Sequence, residues 1–302
     1  MGAVTGRGRF LRWWLPPVDA ARVAWLRVLL YLVVAVNVAF INNSVGHGDT
    51  PELYQPVTIM RDLGVPAPTV AWLQTLQVLL IAGALVGAAG RWPRLAGWPV
   101  AAMYLLWQFY EMSYGKIDHD EFALIAGLFV LPTVGRVPLR AGGIDEAASF
   151  AVRCVQVAVT ATYALSAYAK MRFGTWDWAN GAIFVWSLSR RGHPWSVPLL
   201  QHPGLLHASQ WGLLVLETAS PLMLVVRPRL AALGAAGWAL FHLVTWASIG
   251  IHFLPTAICL TAFWPLEALP AWRDRLRAVR AARGQPPAVS PPPAGGYVAA
   301  RR

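Results

Sequence analysis

Eight stretches of this chain stay mostly apolar for about the 20 residues that a helix needs to cross a hydrocarbon core. They are 20–41, 69–90, 95–113, 120–137, 147–170, 208–226, 229–248 and 250–269. Backbone N–H and C=O groups find no water in lipid, so each run is expected to satisfy them internally as a helix. Charged residues make up 13% of the chain, half the roughly 25% of a soluble domain. The expected fold is therefore all-α, a polytopic integral membrane bundle of about eight transmembrane helices. Pro132 interrupts the fourth run, which is tolerable where neighbouring helices satisfy the freed groups.

Lysine and arginine positions orient the bundle. With the N-terminus inside, about sixteen fall in inside segments and six outside. The net charge of +11 thus reflects topology, and no nucleic-acid partner is expected. The chain is expected to be an integral protein of a bacterial inner (plasma) membrane, with both termini cytoplasmic. Three parts follow: a basic N-terminus (1–19), a transmembrane domain (20–269) and a basic, Pro/Gly-rich, partly disordered tail (270–302). No removable signal peptide is expected. The long connection 171–207, carrying Trp176, Trp178, Trp186 and Trp195, reads as an external interfacial or re-entrant segment. Cys154 and Cys259 lie in apolar runs without metal-ligand spacing, so no metal is expected.

Polar residues inside such runs are costly and mark function or bundle-holding contacts. Lys170 is read at the outer end of the fifth run. His119, in "KIDHDEF", opens the fourth from the same side; His242 is read about four residues from the outer end of the seventh, and His252 starts the eighth. Tyr163, Ser166 and Lys170 stand at i, i+3 and i+7, on one helix face, while Trp238, His242, Thr245 and Trp246 share a face of the seventh run. The aromatic face suits core packing or a flat ring such as a quinone. Lys170 has two readings. It snorkels to the interface, or apolar neighbours keep it from water and make the neutral amine available as a general base. Arg27 and Glu217 read as structural buried charges and as candidate partners for each other.

Four stretches carry a family resemblance. They are "PPVDAARVAWLRVLLYLVV", "LWQFYEMSYGKIDHDEFALIAGLFVL", "YALSAYAKMRFGTWDWANGAIFVWSLSR" and "FHLVTWASIGIHFLP". In that order they resemble the horizontally transferred transmembrane (HTTM) domain, the membrane part of vitamin K-dependent gamma-glutamyl carboxylase. Arg27, His119, Lys170 and His242 fall at motif positions. Asp118 stands before His119 where the family often has Asn, and two extra residues separate Lys170 from Trp178–Gly181.

The resemblance implies a quinol- and oxygen-dependent enzyme with a site facing outward. Lys170 would be the base that deprotonates reduced menaquinone or vitamin K hydroquinone, and His119 its hydrogen-bonding partner. Tyr163, Ser166, Trp238, His242, Trp246 and His252 would line the pocket. Dioxygen and carbon dioxide would be cosubstrates, the quinone would leave as its epoxide, and a peptide or protein glutamate would be carboxylated. Implied partners are membrane lipid and a membrane-soluble quinol. The alternative is a non-enzymatic member with an immunity, export-accessory or lipid-binding role. A transporter ranks last, because no inverted repeat is visible.

Overall fold

The computed structural model describes residues 6–115, 117–140 and 142–274; Lys116 and the tail from residue 275 lie outside them. Its described residues are mostly helical, with no strand among them. In chain order the helices are α1 (Gly6–Trp14), α2 (Ala20–Val36), α3 (Thr58–Asp62), α4 (Val70–Ala88), α5 (Pro93–Met112), α6 (Phe122–Val130), α7 (Glu146–Gly174), α8 (Ala182–Arg191), α9 (Pro203–Ala219), α10 (Pro228–Ile249) and α11 (Leu254–Cys259). The chain divides into two units, Met1–Glu267 and Ala268–Arg302. Residues 268–274 of the second are helical.

Among the described residues four helices are long and apolar enough to cross a membrane: Ala20–Ile41, Val70–Ala88, Glu146–Gly174 and Pro228–Ile249; a fifth is added when one bent pair near the C-terminal end is counted as a span. The other expected spans are shorter or more polar. Helix α6 has nine residues and passes into a 3-10 turn, Leu131–Thr133, at Pro132. Together they rise roughly 20 Å, short of the ~30 Å core. Helix α5 has twenty residues but carries Arg94, Pro99, Gln108 and Glu111. The segment 171–207 contains α8, a half-exposed helix that buries Leu188 and exposes Trp186 and Ile183.

The surface of the long helices argues for lipid. Helix α4 buries Leu73, Leu76, Leu80, Ala84 and Gly87, the i, i+3, i+4 stripe of one face. Its other face exposes Val78, Leu79 and Leu85, and α10 exposes Leu233, Leu240, Leu243 and Val244. Such continuous apolar surface is costly in water and neutral in hydrocarbon. The buried groups include Arg27, Asn37, Gln108, Glu121, Gln156, Gln210, Glu217 and His242. Polar groups turned inward and apolar ones outward is the pattern that a bilayer imposes.

Helix packing follows these faces. Helix α2 lies on α4, α4 on α5, α5 on α6, α6 on α7, and α7 on α9. Asp19 caps α2, accepting from Ala21 N–H at 2.8 Å, and also receives Gly142 and Gly143 N–H. It thereby ties the start of α2 to the segment before α7. These donors hold the Asp19 carboxyl below its usual value.

Arg27 corrects one expectation. Its guanidinium donates to the carbonyls of Val134 at 2.9 Å and Gly135 at 3.1 Å, with Leu131 at 3.5 Å. Helix gives way to a 3-10 turn at Pro132, so the Val134 and Gly135 carbonyls just beyond it have no helical donor, and the guanidinium on α2 supplies one. Arg27 is therefore bound to backbone, and Glu217 has another partner.

Candidate functional site

The site starts from the length of α7. Its last turn runs to Gly174, so Lys170 sits one turn before the end of the helix rather than at it. The face predicted by helical spacing is the face that packs inward. Lys170 Nζ donates to Glu217 Oε1 on α9, in a close ion pair. Ser166 Oγ donates to the same oxygen at 3.3 Å. The two side chains are 19% and 7% exposed, so most of the pair is sheltered from solvent. Antiparallel α7 and α9 make the meeting possible. Ser220 Oγ, just past α9, donates to Thr160 O at 3.1 Å, which sets the stagger that brings Glu217 opposite Ser166 and Lys170.

The chain after α7 folds back over the amine. Trp178 lies in the 3-10 turn Trp176–Ala179, with its ring centroid 4.8 Å from Lys170 Nζ, a cation–π arrangement. Two features hold it there. Gln210 on α9 donates to Trp178 O. Gly174 has no Cβ, and one placed there would come within 2.8 Å of Trp178 Cβ. Thr175 takes a positive φ of 52° at the turn, an uncommon conformation for a β-branched residue.

Beside the ion pair, one turn or two toward the middle of α7, Tyr163 Oη meets His242 Nε2 at 2.7 Å. Tyr163 stacks on Trp238 with centroids 3.9 Å apart and planes at 10°. Phe253 closes the other side of His242 at 5.1 Å. His242 stands seven residues before the end of α10 at Ile249, deeper than the four expected. Three buried atoms in this neighbourhood have no hydrogen-bond partner among the described residues: Glu217 Oε2, His242 Nδ1 and Gln210 Oε1.

The structure thus brings together Lys170, Ser166, Tyr163, Trp238 and His242 with Glu217, which the sequence reading had assigned to Arg27. It places three expected residues elsewhere. Trp246 is 55% exposed on the outer face of α10. His252 is exposed in the link between α10 and α11. His119 is exposed in the 3-10 turn before α6, a turn that packs on α11; the partner that the structure gives Lys170 is Glu217.

The residue of "KIDHDEF" that enters the bundle is Glu121, which sequence reasoning passed over. It is 1% exposed. Tyr104 Oη donates to its Oε2 at 2.6 Å, and Asn37 and Asn42 amides donate to its Oε1 at 3.0 and 2.8 Å. Asn37 begins a π-helical turn, Asn37–Ile41, which continues α2; such turns often mark functional or strained positions. The available signal was Glu121's place as the last charge before an uninterrupted apolar run.

Chemically, the α7–α9 seam offers an amine and a carboxylate that can exchange a proton, bordered by an aromatic wall. Comparison with known proteins adds no identity to this geometry: no family model, no curated protein and no solved structure matches the chain.

Proposed function

We propose that the chain is a quinol- and oxygen-dependent membrane enzyme of the vitamin K-dependent carboxylase or epoxidase type, built on an eight-crossing HTTM-like domain with an outward-facing site. The observation that carries this reading is the Lys170–Glu217 pair, buried beside Tyr163 and His242. The motif resemblance to the HTTM domain supports it independently of the geometry. The unpartnered Glu217 Oε2 and His242 Nδ1 fit the hydroxyl groups of a quinol, one as acceptor and one as donor or acceptor.

A quinol supplies reducing equivalents and a weakly acidic hydroxyl. Lys170 passes a proton from Nζ to Glu217 Oε1, and the free amine takes one from the hydroxyl. The ammonium is thereby restored beside the new oxygen anion, and Glu217 is left protonated. A protonated carboxyl tolerates a sheltered site better than a carboxylate does. In this reading Glu217 is the proton acceptor for Lys170, a role distinct from the hydrogen bond to the quinone oxygen that the resemblance gives to His119. Tyr163 and Trp238 form a fixed wall, and Trp178 limits water at the amine.

One observation favours the non-enzymatic alternative. Trp238 and Tyr163 already stack on each other at 3.9 Å, so the aromatic wall is complete without a guest, and the ion pair alone would clasp α7 to α9. The test is to incubate the purified protein with reduced menaquinone under oxygen and measure quinone epoxide. Wild type is expected to form it and Lys170→Ala and Glu217→Gln to lose it, with folding retained by circular dichroism. Equal amounts from wild type and Lys170→Ala would remove the redox reading.

A further inference from the structure

At the other end of the bundle, where the arginines gather, lies a cavity of about 390 Å³, within the size range of small-molecule sites. It opens between α2, the end of α4 and the segment after α6. Its charged lining consists of Arg27 and Arg136. Arg27 is 2% exposed, and its Nε has no hydrogen-bond partner among the described residues. The carbonyls that it binds on Leu131, Val134 and Gly135 are neutral. The ion pairs among described residues involve neither Arg27 nor Arg136. A buried guanidinium without a carboxylate calls for an anion.

A second hollow of about 530 Å³ adjoins the first and is lined by Leu85, Val86, Ala89, Arg91 and Trp92. Ala89 lines both. Leu85 is 52% and Trp92 58% exposed, so this groove is an open apolar channel on the outer face of α4, with an arginine and an indole at its mouth. A cationic pocket beside an exposed apolar groove, the two sharing Ala89 in their linings, matches one ligand shape, a charged head on a hydrocarbon chain. Basic hollows between helices on the arginine-rich side are where anionic lipid heads bind.

We infer that this pair of hollows is a binding site for an anionic phospholipid, with the phosphate between Arg27 and Arg136 and an acyl chain along Leu85, Val86 and Trp92. No lining residue is acidic, so nothing there would pair with the amine of a zwitterionic head. The inference rests on the membrane placement of the bundle and is independent of the α7–α9 site.

The test is native mass spectrometry of the full-length protein in detergent, titrated separately with phosphatidylglycerol, with phosphatidylcholine of the same chains and with inorganic phosphate. Phosphatidylglycerol is expected to bind about tenfold more tightly than phosphatidylcholine, whose phosphate is shared but whose cationic choline meets two arginines and no carboxylate. Two variants outside the Arg27 carbonyl cluster locate the site. Arg136→Gln should lower phosphatidylglycerol affinity about tenfold and phosphatidylcholine affinity less, so that the preference shrinks. Ala89→Trp, at an exposed position, should block the junction and abolish the preference. Circular dichroism of both should match wild type. Equal affinity for the two lipids, an unchanged preference in Ala89→Trp, or binding of inorganic phosphate as tight as that of phosphatidylglycerol would each overturn the proposal.

Discussion

Removing one member of the Lys170–Glu217 pair should cost far more than removing both. Glu217 is 5% exposed as a residue and Lys170's side chain 19%, so the pair lies nearer the buried limit than the surface one. Breaking a buried pair by deleting one partner costs about 3–5 kcal/mol, because the remaining charge is left uncompensated; replacing both with apolar groups is close to neutral. Lys170→Met and Glu217→Leu should therefore each lose roughly 3 kcal/mol, and the double variant should recover most of one such loss. The coupling in a double-mutant cycle would be roughly 5 kcal/mol, the two single losses together less the small cost of the double variant. The assay is reversible unfolding of the purified protein in mixed micelles by titrated dodecyl sulfate, followed by tryptophan fluorescence. Additive single losses under about 1 kcal/mol each, the value of an exposed pair, would refute the claim that the two charges are sheltered together.

Further outcomes are expected elsewhere. Gly174→Ala should displace Trp178 from the amine, since the added methyl meets Trp178 Cβ at 2.8 Å; quenching of tryptophan fluorescence by a water-soluble quencher should rise while helicity stays unchanged. Glu121→Ala should cost about 2–4 kcal/mol, because the donors of Asn37, Asn42 and Tyr104 lose their common acceptor; dodecyl sulfate unfolding would measure it. Asp19 makes a pH-dependent contribution. Its folded value is lowered by Ala21 and Gly142 N–H, so the stability it provides is present above the unfolded carboxylate value of about 3.9 and is lost as pH falls through the folded one. Asp19→Asn should flatten the acid side of the stability–pH curve, by well under about 1 kcal/mol for so exposed a cap.

The sequence made the architecture legible where one physical signal dominated. Long apolar runs mark α2, α4, α7 and α10 because lipid leaves a spanning backbone no alternative to helix. It was less informative where signals compete. In the fourth run Pro132 cuts the helix to nine residues, and apolarity alone did not show that Arg27 would cap the cut end. Helical spacing placed Tyr163, Ser166 and Lys170 on one face, and that face packs against α9 and α10. The partner of the amine was not legible, because it depends on the stagger of α7 against α9, fixed by a contact such as Ser220 to Thr160. Depth along isolated helices pointed Glu217 toward Arg27; packing turned it toward Lys170. In "KIDHDEF" the histidine is the residue type that most suggests chemistry, whereas burial selects Glu121, the charge that three donors satisfy.

The central claim is that Glu217 receives a proton through Lys170 when a quinol binds. Difference infrared spectroscopy of the full-length protein, with and without reduced menaquinone under nitrogen, reads this directly. A protonated-carboxyl band is expected to appear with the quinol, to shift in deuterium oxide and to be missing in Glu217→Gln and Lys170→Met. A wild-type spectrum with quinol bound and no change in the carboxyl region would contradict it.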